Sequence, residues 1–150
     1  MQVLRRRRAA GDNRSGAALV ETALVLPIFF MVVLGIIEFG RAMMVAQLLN
    51  NGAREAARLA IMDGSTNAQV DASVRGFVSS AVGVDPAKLT VTITVTPATG
   101  NPDPGNDVSL ARRRDLCEVQ VKVSFSEVDY IPSKFLATSQ LTGQAAMRHE

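Results

Sequence analysis

The apolar positions of this chain follow three patterns in turn. Residues 17–37, AALVETALVLPIFFMVVLGII, are apolar around the whole helical circumference, with Glu21 as the one charge. At about 1.5 Å per residue they form a helix on the order of 30 Å long, one hydrocarbon core. A buried core helix is the competing reading, but so small a chain offers little to bury it in. The pattern therefore predicts a membrane-spanning helix. Pro27 sits near its middle, removes a backbone donor and predicts a modest kink near residues 24–27. Beyond residue 37 the pattern becomes one-sided. Met44, Leu48, Gly52, Glu55 and Leu59 share one side of a helix, and Val45, Leu49, Ala53, Ala56 and Ala60 form a neighbouring, weaker apolar stripe. Glu38/Arg41 and Glu55/Arg58 are spaced as i, i+3 ion pairs. The helix is expected to run to about residue 62 and stop at Asp63-Gly64-Ser65. It either projects or lies against its own outer domain, and both can hold.

The third pattern belongs to a small domain. Val70, Val74, Phe77, Val78 and Ala81 predict a second helix over 67–81. Residues 88–96, KLTVTITVT, alternate strictly, with Leu89, Val91, Ile93 and Val95 on one face and threonines on the other. Residues 97–106 are rich in Pro and Gly and read as a loop. Residues 116–126 alternate again, with Cys117, Val119, Val121, Val123 and Phe125 on the apolar face. The two strands are expected to pair antiparallel over a helix face. Residues 134–147, after Tyr130-Ile131-Pro132, read as a short strand or helix. The fold class is α+β: a long N-terminal transmembrane helix, then a small extracytoplasmic domain with a helix and an antiparallel sheet. The expected organisation is a basic leader over 1–16, the spanning and projecting helix over 17–62, and the outer domain over 63–150.

Charge refines this picture. The chain has 150 residues and a formal net charge of +2. The first sixteen residues, with Arg5, Arg6, Arg7, Arg8 and Arg14 against Asp12, carry net +4, leaving −2 for the rest. The basicity is thus a flank of the apolar segment, which places the N-terminus in the cytoplasm and the C-terminal domain outside, as a single-pass protein of the cytoplasmic membrane. It is not a basic face interleaved with readers, so no nucleic-acid partner is expected. A conventional secretory signal fits poorly, because Glu21 lies inside the run and Ile36-Ile37-Glu38-Phe39 offers no small-x-small cleavage site.

Candidate chemistry is sparse. Cys117 is the only cysteine and lies on an apolar strand face, so a buried free thiol is expected. His149 is the only histidine, near an end expected to fray. Asp103, Asp107 and Asp115 span a loop without the spacing of an EF-hand. Arg112, Arg113 and Arg114 read as a solvated turn. Phosphate-binding glycine loops, metal motifs and nucleophile–base pairs are missing from the sequence. The expectation is a non-enzyme without cofactor or metal.

The informative stretch is RSGAALVE, residues 14–21. A basic leader ends in Gly16, Ala17 follows, and Glu21 is fifth counting Ala17 as first. Ala23-Leu24-Val25-Leu26-Pro27, the GIIEFGR of residues 35–41 and residues 51–58 continue the pattern. In order and spacing, residues 15–60 resemble TadE-like proteins, pilin-like components of tight-adherence (Tad/Flp) pilus systems. The resemblance implies cleavage after Gly16 by a prepilin peptidase, an intramembrane aspartic protease, with Glu21 as the acid near the new terminus. Thr22 departs from the Phe common beside that acid. Independently of the family, cleavage would leave an ammonium on Ala17, and i, i+4 spacing puts Glu21 one turn away, able to neutralise it in the same or a neighbouring chain. A Glu21 simply solvated at headgroup level is the plainer alternative. Gly16 and Ala17 are the processing residues that the resemblance implies. Glu21, Pro27, Gly35, Glu38, Gly40 and Arg41 are candidates for assembly and helix registration, Gly35 and Gly40 by permitting close helix contact. The implied partners are other pilin-like subunits, inner-membrane assembly proteins, the peptidase and the bilayer. The competing function is a single-span anchor whose outer domain binds an envelope or surface partner.

Overall fold

A computed structural model describes residues 12–129 and 135–150, with side chains from Gly16 onward. Most of the 1–16 leader, including the Arg5–Arg8 run, and residues 130–134 lie outside the described residues. Helix α1 spans Asp12–Ala60 and helix α2 Asn67–Val82. Strands β1 (Thr90–Thr96), β2 (Leu116–Ser124) and β3 (Gln140–Arg148) follow, giving the α+β class. The chain divides into two compact units, one ending at Ile37 and the other spanning Glu38–Glu150.

In the first unit, α1 passes Pro27 without losing its helical assignment. Proline has no N–H, so the carbonyl of Ala23 has no intrahelical donor there. The Thr22 hydroxyl donates to the Ala18 carbonyl at 2.8 Å, so its polar atom is satisfied on the preceding turn.

The second unit has its own core. The α1 residues Ala42, Val45, Leu49, Ala53, Ala56, Ala57 and Ala60 are buried within it. The stripe expected to be the weaker is therefore the more deeply buried, while on the other Met44 stays exposed and Leu48 half-buried. The reason is size: alanines let a neighbouring element approach closely. Glu55 and Arg58 are both exposed and make no ion pair among the described residues. Past Ala60 the chain turns, and the Ser65 hydroxyl caps the helix end by donating to the Leu59 carbonyl at 2.7 Å.

Thr66 opens α2 with a reciprocal box: its hydroxyl accepts from Gln69 N–H, and the Gln69 side chain accepts from Thr66 N–H. Gly83, at φ 80°, closes it. Val70, Val74, Val78 and Val82 face inward at i, i+4 spacing. Phe77 and Ala81, expected on that face, lie at its exposed margin. At Gly52 a Cβ would come within 3.1 Å of Phe77 Cδ1 and Val78 Cγ2, so glycine sets the α1–α2 contact there.

The sheet is antiparallel in the order β1-β2-β3. Ile93 pairs with Val119, and Val121 pairs with both Val91 and Gly143. Cys117, Val119, Val121 and Val123 point into the core, each worth about 1.5–3 kcal/mol if treated as a fully buried apolar side chain. The expected 116–126 strand ends at Ser124, where Phe125 turns into a short 3₁₀ segment, Phe125–Glu127, and stays fully buried. The expected first strand begins two residues late, because Pro86–Lys88 forms a 3₁₀ turn with Asp85 accepting from Ala87 N–H. The open 134–147 reading resolves as strand β3 over its residues 140–147, with residue 134 outside the described residues. Gly143 is required there: a Cβ would lie 2.5 Å from Asn50 N and 2.6 Å from Leu49 Cβ. Beside it, Gln144 N–H donates to Asn50 Oδ1 at 3.1 Å, fixing β3 to α1.

Candidate membrane and assembly helix

The residues singled out in the sequence fall into two groups. Gly16, Ala17 and Glu21 lie exposed on α1, and Pro27, Gly35 and Gly40 follow on the same helix. From Gly16 to Ile37 only Val33 and Gly35 are even half-buried. Leu19 is 71% exposed and Ile28 66% exposed, values that water alone would disfavour for so many large apolar side chains in succession. Phe29 and Phe30 stack edge to face at 5.8 Å, with both rings open to the surroundings. Among the described residues, one helix is long and apolar enough to cross a membrane. Helical spacing puts Glu21 one turn from Ala17 on the same side.

Glu38 and Arg41 behave differently, and their expected mutual ion pair does not form. The Glu38 carboxylate accepts from Phe135 N–H at 3.1 Å and Leu136 N–H at 2.6 Å. Arg41 is 8% exposed and reaches two distant carbonyls. Its Nε donates to Val128 at 2.9 Å and its Nη2 to Val82 at 3.2 Å. One guanidinium thereby joins α1, the end of α2 and the segment after β2. A planar fork with fixed donors suits this, where a lysine would offer one point.

These residues match a known pattern. Residues 16–58 match the family model of TadE-like proteins. No curated protein and no solved structure matches the chain. The TadE-like segment thus contains the exposed apolar helix, Glu38, Arg41 and most of the buried α1 stripe. β1, β2, β3 and α2 lie outside it.

Sequence reasoning missed the sites that close the second unit. Asp115 is fully buried, and its carboxylate accepts from Ala98 N–H at 2.8 Å, Asn101 Nδ2 at 2.6 Å and Arg112 N–H at 2.7 Å. Burial pushes this carboxyl up, but the three donors, with the nearby His149, outweigh it and hold it below its ordinary value. Its oxygens are occupied in pinning the 97–115 loop. His149 is not on a frayed end: its N–H donates to the Asp115 carbonyl at 2.9 Å and its carbonyl accepts from Arg114 N–H at 2.7 Å. Cys117 is the expected buried free thiol. Burial raises its pKa, and the Asp115 charge adds to this. An acid directly before an alternating strand was the available signal for Asp115, and a lone glycine inside a strand was the signal for Gly143.

Proposed function

We propose that this chain is a pilin-like (pseudopilin) membrane protein that contributes to tight-adherence pilus biogenesis or a related secretion machine. The observation that carries the reading is the largely exposed apolar helix after Gly16, with Glu21 as its lone acid, inside the segment that matches the TadE-like family. An unburied face of this composition is suited to lipid and to the helices of other subunits. In this reading the N-terminus is cytoplasmic, a prepilin peptidase cuts after Gly16, and the freed Ala17 ammonium is neutralised by Glu21. Residues 38–150 stand outside the cytoplasmic membrane. Gly35 and Gly40 allow close helix contact, while Glu38 and Arg41 register the 38–60 part of α1 within the outer unit. The partners are other pilin-like subunits and inner-membrane assembly proteins, and the role is structural rather than catalytic.

Photo-crosslinking from positions 19, 28 and 36 in native membranes tests it. Adducts with pilin-like or assembly proteins are expected. Adducts to lipid alone would instead support a plain single-span anchor with an outer binding domain.

A further inference from the structure

Strand β1 forms one edge of the sheet. The Val95 N–H donates to Asn106 Oδ1 at 3.1 Å, the Leu89 carbonyl accepts from Arg75 Nη1 at 2.8 Å, and Leu89 N–H bonds Pro86. Odd-numbered residues of this strand therefore turn their backbone groups away from β2. By the same parity, Val91 and Ile93 present both N–H and C=O to the edge, and none of these groups has a partner among the described residues. Orphaned backbone groups are rare in interiors, so these lie open to solvent or to another strand.

Sheet edges are normally guarded by charge, proline, a bulge or a covering element. On β1 such cover reaches only the ends, through Arg75 at Leu89 and Asn106 at Val95, and leaves Val91 and Ile93 between them. The strand reads Thr-Val-Thr-Ile-Thr-Val-Thr, uncharged and identical in both directions. The neighbouring cations are engaged: Arg75 by Asp71 at 2.7 Å and Lys88 by Glu127 at 3.1 Å. Nothing on the strand repels its own copy, and antiparallel self-pairing sets threonine against threonine and β-branched apolar side chain against its like.

We propose that a second copy of this chain docks on this edge, β1 against β1, antiparallel about a two-fold axis at Thr92. The free groups select that register. It sets Val91 opposite the partner's Ile93 and Ile93 opposite the partner's Val91, so the open N–H and C=O groups of both strands pair with one another. Centring on Ile93 would instead require the Val95 N–H, which Asn106 already holds. The contact is isologous, and it joins two three-stranded sheets into one. It does not depend on the pilin-like reading.

The test uses the full-length chain in membranes. Thr92 and Thr96 are both exposed on β1, so neither Thr92→Cys nor Thr96→Cys disturbs the core. Under mild oxidation Thr92→Cys is expected to give on the order of tenfold more disulfide-linked dimer than Thr96→Cys, since only the two-fold position meets the distance limits of a disulfide. Equal yields, or no dimer at Thr92, overturn the proposal, including the case in which chains associate only through α1. As a second readout, the amides of Val91 and Ile93 in the unmodified chain should gain hydrogen-exchange protection as protein density in the membrane rises. Exchange independent of density overturns it equally.

Discussion

Replacing Arg41 with leucine removes the buried guanidinium that holds the Val82 and Val128 carbonyls. Each hydrogen bond from a charged donor contributes about 1.5–3 kcal/mol net, and a buried acceptor left unpaired adds its own desolvation cost. Leucine keeps some packing of the aliphatic stem, which offsets part of the loss. The expected destabilisation of the Glu38–Glu150 unit is therefore about 3–5 kcal/mol. With unfolding entropy of about 2.1 cal/mol/K per residue, this lowers Tm by roughly 10–20 °C. Cys117 provides the assay: it is fully buried in that unit, so maleimide labelling during a temperature ramp reports the unit's opening without interference from the apolar helix. Arg41→Lys keeps the charge but loses the fork, and should fall between the two. A Tm for Arg41→Leu within about 3 °C of the parent, a shift of under 1 kcal/mol on the same conversion, would refute the reasoning.

Gly143→Ala drives a methyl group into the α1 backbone at Leu49 and Asn50. It should cost about 1–3 kcal/mol by the same labelling ramp, because backbone cannot step aside as a flexible side chain can. Asp115 has a lowered pKa in the folded chain, so its stabilising contribution is complete above the ordinary carboxylate range and is lost as pH falls below it. Asp115→Asn should lower Tm at neutral pH and flatten the acid limb of the Tm–pH curve relative to the parent. Cys117, with its raised pKa and full burial, should resist iodoacetamide at pH 8 in the folded chain and react once denatured.

The parts legible in the sequence were those in which neighbours along the chain decide the outcome. Alternation in TVTITVT and LCEVQVKVS identified two strands, and the apolar run after Gly16 identified the exposed helix. β3, with the sequence QLTGQAAMR, carries no such regular alternation. It is a strand because β2 offers it a partner, and Gly143 because α1 lies against it. The packing stripe of α1 was misjudged for a related reason. Side-chain size favoured Met44 and Leu48, whereas close approach favoured Ala53, Ala56 and Ala60. Glu38 and Arg41 were visible as charges at the end of the apolar run. Their partners lie 97 and 87 residues further along, at Phe135 and Val128, and no local spacing reports such contacts. The Gly16–Glu21 stretch carries a proposal written in consecutive residues, a cut and a charge one turn later.

Intact mass of the protein extracted from its native membranes tests the central claim most directly. The account predicts a membrane-retained chain that begins at Ala17, shortened by the sixteen residues that carry net +4. Substitution of Gly16 by a bulky residue should restore the longer mass. A parent chain still beginning at Met1, in cells that make an active prepilin peptidase, would contradict it.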